Sequence, residues 1–142
     1  MSYVKIWIHA VWSTKNRNPW LKPGKLELMC NHILENASRN RMYIDTINGF
    51  EDHIHVLMML SAENSIAKQM QLIKGESAYW ANEVKLVDER FAWAAKYFAS
   101  SVSGMKVPLV RKYIENQQVR HRSQSFKDEF SHFFKRNGLC RR

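Results

Sequence analysis

The sequence predicts an α+β fold: a ferredoxin-like (split βαβ, RRM-like) antiparallel sheet with two helices on one face, plus C-terminal helices. Three observations predict it. Apolar residues switch between period two and period 3.6 along the chain, in the order β-α-β-β-α-β. The chain is 142 residues long with a hydrophobic fraction of 45%, which suffices for a real core. No internal repeat, low-complexity stretch or linker divides it, so residues 1–142 are read as a single domain.

Residues 3–13 (Tyr-Val-Lys-Ile-Trp-Ile-His-Ala-Val-Trp-Ser) are β-rich and mostly apolar, and read as a central strand. Lys15 to Trp20 is a basic loop. Pro23-Gly24 opens a helix, because proline is tolerated in a first turn. Its apolar stripe is Leu26, Met29, Cys30, Ile33, Leu34 and Ala37, and it stops near Arg39-Asn40. Residues 42–48 read as a second strand, with Asn48-Gly49 as a turn signal. A third strand over about 53–60 follows, antiparallel to the second. Ser65 is placed to cap a helix over about 65–83, with Ile66, Met70, Ile73, Ser77 and Trp80 along one side. Gly75 in its middle costs ~1 kcal/mol against alanine, which predicts a close approach by another group. Residues 91–103 read as a fourth strand, and helices are expected at about 107–121 and 125–136. In this plan the first and third strands are central. The third strand is apolar on both faces, so its second face needs cover from the C-terminal helices or a second subunit.

Charge narrows the function classes. The net charge is +9, and residues 106–142 hold ten Lys/Arg against three Asp/Glu. Residues 1–25 carry five basic residues and no acid. Basic ends folded together make a surface suited to a polyanion, nucleic acid first. No apolar run approaches the ~20 residues needed to cross a bilayer, and the N-terminus lacks a signal-peptide layout. A cytoplasmic location without membrane attachment is expected. Cys30 and Cys140 are too few and too distant for a disulfide framework or zinc ribbon.

His53-Ile54-His55 carries the chemistry. A strand sends alternate side chains to opposite faces, so both imidazoles leave one face while Ile54 leaves the other. Two imidazoles held side by side are half of a metal site, although a core histidine satisfied by a hydrogen bond has the same pattern. On the helix at 107–121, Val107, Val110, Ile114 and His121 form the buried stripe. Tyr113 and Gln117 lie one turn apart at its margin, with Arg120 further along. Tyrosine at such a margin is also an ordinary packing residue.

These elements, with further fragments in order, resemble the single-tyrosine HUH transposases. That family comprises the small transposases of bacterial insertion sequences with hairpin ends and their relatives associated with repetitive extragenic palindromes (REP). The fragments are Ile8-His9-Ala10-Val11-Trp12-Ser13-Thr14-Lys15-Asn16-Arg17, Gly49-Phe50-Glu51-Asp52-His53-Ile54-His55, Ile73-Lys74-Gly75-Glu76-Ser77, Ser101-Val102-Ser103, Tyr113-Ile114-Glu115-Asn116-Gln117 and Ser125-Phe126-Lys127-Asp128-Glu129-Phe130. The resemblance implies that Tyr113 is the catalytic nucleophile and that His53, His55 and Gln117 bind a divalent ion, Mg²⁺ or Mn²⁺. It further implies cleavage and rejoining of single-stranded DNA at hairpins through a 5′-phosphotyrosine link, by a homodimer. Gly104-Met105-Lys106-Val107-Pro108 replaces the longer polar turn common in the family.

Lys15, Arg17, Lys74, Arg111, Lys112, Arg120 and Arg122 are candidate phosphate contacts. Trp12, Trp20, Trp80 and Trp93 are candidate base-stacking groups, with core packing favoured for Trp12 and Trp80. His9 either faces the site or packs in the core. Two rival readings share these residues: a non-catalytic nucleic-acid-binding module of the same fold, and a metal phosphoesterase that uses water and leaves Tyr113 structural.

Overall fold

Trp7–Ser13 alternates between two buried faces, and the sheet is built around it. The computed structural model describes residues 3–120. Its strands are β1 (Trp7–Ser13), β2 (Ile44–Phe50), β3 (His53–Met59) and β4 (Phe98–Val102). Its helices are α1 (Lys25–Arg39), α2 (Ile66–Glu83), α3 (Val107–Glu115) and α4 (Gln117–Arg120). The sheet order is β2-β3-β1-β4, and every neighbouring pair is antiparallel. The first and third strands are therefore central, as the split βαβ plan requires.

One face of the sheet presents Ile8, Ala10, Trp12, Ile54, Val56 and Met58 to α1 and α2. α1 contributes Leu26, Met29, Cys30, Ile33 and Ala37, the stripe read from its 3.6 period except for Leu34, which is only half-buried. The Gly24 N–H donates to the Glu27 carboxylate, so the first turn is capped from within. Gly24 has φ +95°, which only glycine adopts without strain. Ser65 caps α2 as expected, its Oγ accepting from the Lys68 N–H at 3.1 Å. The opposite face presents Trp7, His9, Val11, His53, His55 and Leu57. Among the described residues its cover is α3, through Val107, Val110 and Ile114 against Leu57, Trp7 and Val102.

Several boundaries differ from the sequence expectation, each for a tertiary reason. Residues 3–6 precede β1, because β3 and β4 run out opposite Trp7, at Met59 and Val102. The turn between β2 and β3 is Glu51-Asp52, and Asn48-Gly49 lies inside β2. Gly49 is needed there for proximity: a Cβ on it would stand 2.2 Å from the His53 carbonyl oxygen. Main-chain bonds hold the true turn, with the Asp52 carbonyl accepting from Thr14 N–H and the Glu51 carbonyl from Leu21 N–H, both at 2.9 Å.

The fourth strand begins at Phe98, not at residue 91. Phe91 and Trp93 are core residues on an irregular segment tied to the end of β1 by the Ala94 N–H, which donates to the Ser13 carbonyl at 2.9 Å, and just beyond it by the Thr14–Trp93 bridge. The Lys74 ammonium, instead of a strand, donates to the carbonyls of Ala94 (2.8 Å) and Ala95 (3.1 Å). Gly75 meets no neighbour within 4 Å, so the expected close approach is not there among the described residues. The helix expected over 107–121 breaks at Asn116. The expected helix at 125–136 lies outside the described residues, as does His121. No described helix is long and apolar enough to cross a membrane.

Candidate active site

His53 and His55 leave β3 on the α3 face, with Ile54 between them in the opposite core. Both are buried, and their ring centroids are 5.1 Å apart. Each is held from behind by a different group. Asp52 Oδ1 lies 2.8 Å from His53 Nδ1. His9 Nε2 lies 3.0 Å from His55 Nδ1, across the β1–β3 pair. His9 thus faces the site rather than the main core.

α3 lays Tyr113 over this pair. Its ring centroid is 5.6 Å from that of His55 and 6.1 Å from that of His9, edge-on to both. Gln117, one turn later and fully buried, brings Oε1 to 3.1 Å from His53 Nε2. Its amide nitrogen donates to the Tyr113 carbonyl at 3.3 Å. The residues that the sequence separates by some sixty positions are therefore gathered into one cluster, buried at the histidines and Gln117 and half-buried at Tyr113.

Strand β2 anchors α3 from the side. Asn48 pairs with His55 in register and points to the same face. Its Nδ2 donates to the Ile114 and Glu115 carbonyls, each at 3.1 Å. In a continuous helix those carbonyls would accept from residues 118 and 119. Asn48 takes them instead, which is why the helix breaks at Asn116. The Gln118 amide completes the joint, donating to Asn48 Oδ1 at 2.8 Å and to the Gly49 carbonyl at 3.2 Å. Further along, a register shift between Ile44 and Thr46 leaves Asp45 as the extra residue of a bulge. Arg111 donates to both Asp45 oxygens, Nε at 2.8 Å and Nη2 at 2.9 Å. That hydrogen-bonded guanidinium holds the Asp45 carboxyl below its ordinary pKa, and Asp45 in turn raises Arg111.

The donor set fits a divalent ion. Hydrogen-bond partners assign the His53 proton to Nδ1, facing Asp52, so Nε2 presents a lone pair. The Gln117 amide is oriented by its bond to the Tyr113 carbonyl, so Oε1 faces Nε2 at 3.1 Å. Two acceptors aimed together repel unless they share a cation or a proton, the latter requiring a doubly protonated His53 that donates to Asp52 and Gln117 at once. Adjacent ligands in an octahedral shell with ~2.1 Å bonds lie about 3 Å apart, close to this separation. Among the described residues no group of three or more His, Cys, Asp or Glu is arranged to hold an ion, and the third donor here is an amide. Imidazole and amide ligands leave the ion's charge intact; on softness the imidazoles favour Mn²⁺ over Mg²⁺, and the same ligands also accept Zn²⁺.

The basic candidates separate by surroundings. Lys15 and Arg17 are exposed on a 3₁₀ turn that leaves β1 beside Asp52, and Lys112 is exposed on α3. Arg111 is engaged with Asp45, and Lys74 with the carbonyls of residues 94–96. Burial lowers the Lys74 pKa. Arg120 ends α4, and Arg122 lies outside the described residues. Of the tryptophans, Trp12 and Trp93 are buried, and Trp80 stacks on His32 at 4.2 Å. Trp20 packs on Phe91 and donates to Glu89. Sequence reasoning missed Asp52, Asn48 and Asp45. Only Asp52 left a local signal, a carboxylate directly before the first histidine.

A family model described as "Transposase IS200 like" matches residues 2–117. Among solved structures, the chain is similar to a protein of Deinococcus radiodurans R1 assigned as a transposase, with a TM-score of 0.66 and 23% identity over 82% of this chain and 95% of that one. It is also similar to a REP-associated tyrosine transposase bound to a REP hairpin, with a TM-score of 0.61 and 16% identity over 85% of this chain and 72% of that one. No curated protein gives a match.

Proposed function

The chain belongs to the IS200-like transposase family, and from that premise we propose that it cuts and rejoins single-stranded DNA at hairpin ends, with Tyr113 as nucleophile. In this reading His53, His55 and Gln117 hold Mg²⁺ or Mn²⁺, and residues 1–142 work as one domain in a cytoplasmic homodimer. The observation that carries it is the convergence of the half-buried Tyr113 ring, 5.6 Å from the His55 ring, with the buried His53–Gln117 pair. The likeness to a transposase bound to a REP hairpin supports a hairpin as the DNA partner.

The chemistry follows from the groups present. A phenol has pKa ≈ 10 and is a weak nucleophile at neutral pH, so the phosphate must be made more electrophilic. A bound divalent ion supplies that by acting as Lewis acid and template at the scissile phosphate. Tyr113 Oη forms the new bond to phosphorus and loses its proton. The bond from phosphorus to the 3′ oxygen breaks, and that oxygen leaves as a hydroxyl. The product is a 5′-phosphotyrosine link that keeps a phosphodiester. A 3′-hydroxyl attacking that link rejoins DNA and returns the phenol, with no energy source beyond the bond itself. Asp52 and His9 orient the imidazoles during both steps, and the Asn48 and Asp45 contacts set where α3 holds the phenol.

The test uses single-stranded hairpin oligonucleotides and Mn²⁺. The expected result is a denaturation-resistant protein–DNA adduct that Tyr113→Phe abolishes. Cut DNA without adduct identifies a water-using phosphoesterase. A mobility shift alone identifies a binding module.

A further inference from the structure

We infer that His9 is a positioning residue: it holds His55 in the tautomer that keeps a lone pair on Nε2 for the divalent ion. The inference rests on the metal-bearing reading above. His9 and His55 stand on neighbouring strands at diagonal positions of one face, with Val11 opposite His55 and Leu57 opposite His9. Their rings are 5.2 Å apart by centroid, and both are almost wholly shielded from solvent.

One proton lies between His9 Nε2 and His55 Nδ1, at 3.0 Å. Two directions are available to it. If His9 donates, Nδ1 of His55 is the acceptor, and a neutral His55 carries its own proton on Nε2. That nitrogen then cannot ligate a cation. If His55 donates from Nδ1, its Nε2 is a lone pair. The second direction makes the two histidines equivalent, since His53 already faces Asp52 through Nδ1. Each imidazole of the pair is then held through the same ring nitrogen, one by a carboxylate in the turn just before its strand and one by an imidazole on the next strand. Outer groups of this kind raise ligand basicity and fix ring orientation. A histidine serving only as packing would not care which way the proton points.

The experiment uses the full-length ¹⁵N-labelled chain, without metal, at neutral pH. Long-range ¹H–¹⁵N imidazole correlations report which nitrogen of His55 bears the proton. Mn²⁺ binding is then measured by the EPR signal of free Mn²⁺ for wild type, His9→Leu and His9→Gln. Leucine fills space without accepting a hydrogen bond, whereas the glutamine oxygen can accept near the position of Nε2. The expected outcome is Nδ1–H on His55 in the wild type, loss of that preference in His9→Leu, and Mn²⁺ affinity reduced about 10–100-fold. His9→Gln is expected to restore both. An Nε2–H tautomer in Mn²⁺-binding wild type overturns the inference and leaves the metal reading standing, as does wild-type affinity in a folded His9→Leu. A wild type that takes up no Mn²⁺ overturns the metal reading and, with it, the purpose assigned to His9. Should His9→Leu fail to fold, the wild-type tautomer and His9→Gln affinity decide.

Discussion

Asp52 grips its neighbourhood with both ends of one residue. Its carbonyl accepts from Thr14 N–H at 2.9 Å and ties the turn to β1, while its carboxylate meets His53 Nδ1 at 2.8 Å. The main-chain bond survives truncation of the side chain and the second does not. Asp52→Ala is therefore expected to keep its fold by circular dichroism but bind Mn²⁺ about 10-fold more weakly, read by EPR of the free ion. Gly49 is the opposite case, a residue whose lack of a side chain matters. A methyl there meets main-chain atoms of His53, the nearest at 2.2 Å, and backbone cannot swing aside. Gly49→Ala is expected to lose about 2–3 kcal/mol in urea unfolding, by overpacking. Cys30 is inert by contrast, its thiol pushed up to about 12 by burial and then by nearby Glu27.

At the scale of elements, α3 has less apolar anchorage than either α1 or α2. It buries Val107 and Ile114, on the order of 1.5–3 kcal/mol each, where α1 buries five such residues. Side-chain bonds to β2 supply the rest of its placement. Because Arg111 depresses the Asp45 pKa, the stabilisation is fully present above the ordinary carboxylate value of ~3.9 and is lost as pH falls through the lowered one. Methyl NMR signals of Val107, Val110 and Ile114 should stay constant from neutral pH down to the ordinary carboxylate range and move below it. Asp45→Asn should show the displaced signals already at neutral pH, without the acid step. Such contacts also mark where the sequence stops being legible. The starts of α1 and α2 were readable because Gly24 and Ser65 cap them locally. The period-two and one-turn spacings likewise put His53 with His55, and Tyr113 with Gln117. The break at Asn116 was not readable, since it depends on an amide from a strand some seventy residues earlier. Residues 91–97 have strand composition, but Lys74 satisfies carbonyls that a strand partner would otherwise take. Asn48-Gly49 looked like a turn because those residue types suit turns, while here one joins a helix and the other makes room for a carbonyl.

Across the whole molecule, charge sets how DNA would be met. The net charge is +9, but it is not all equally available, because Arg111 and Lys74 already bond within the fold. Lys15 and Arg17 are exposed beside the Asp52 corner. Each phosphate contact on a single strand adds about 0.7 to the slope of log affinity against log salt. Replacing both Lys15 and Arg17 by alanine is thus expected to lower that slope by about 1.4 in hairpin-binding titrations, with the melting temperature unchanged. Lys74→Met should instead lower the melting temperature, since it frees the carbonyls of the 94–96 segment. The sheet also has a lesson for anyone transplanting its chemistry. A recipient scaffold that copies the imidazole-bearing strand but keeps an ordinary residue at the Gly49 crossing would wedge its two strands apart, and the borrowed rings would arrive splayed. The bare α-carbon is part of the gauge that sets their spacing, and a graft has to carry it along.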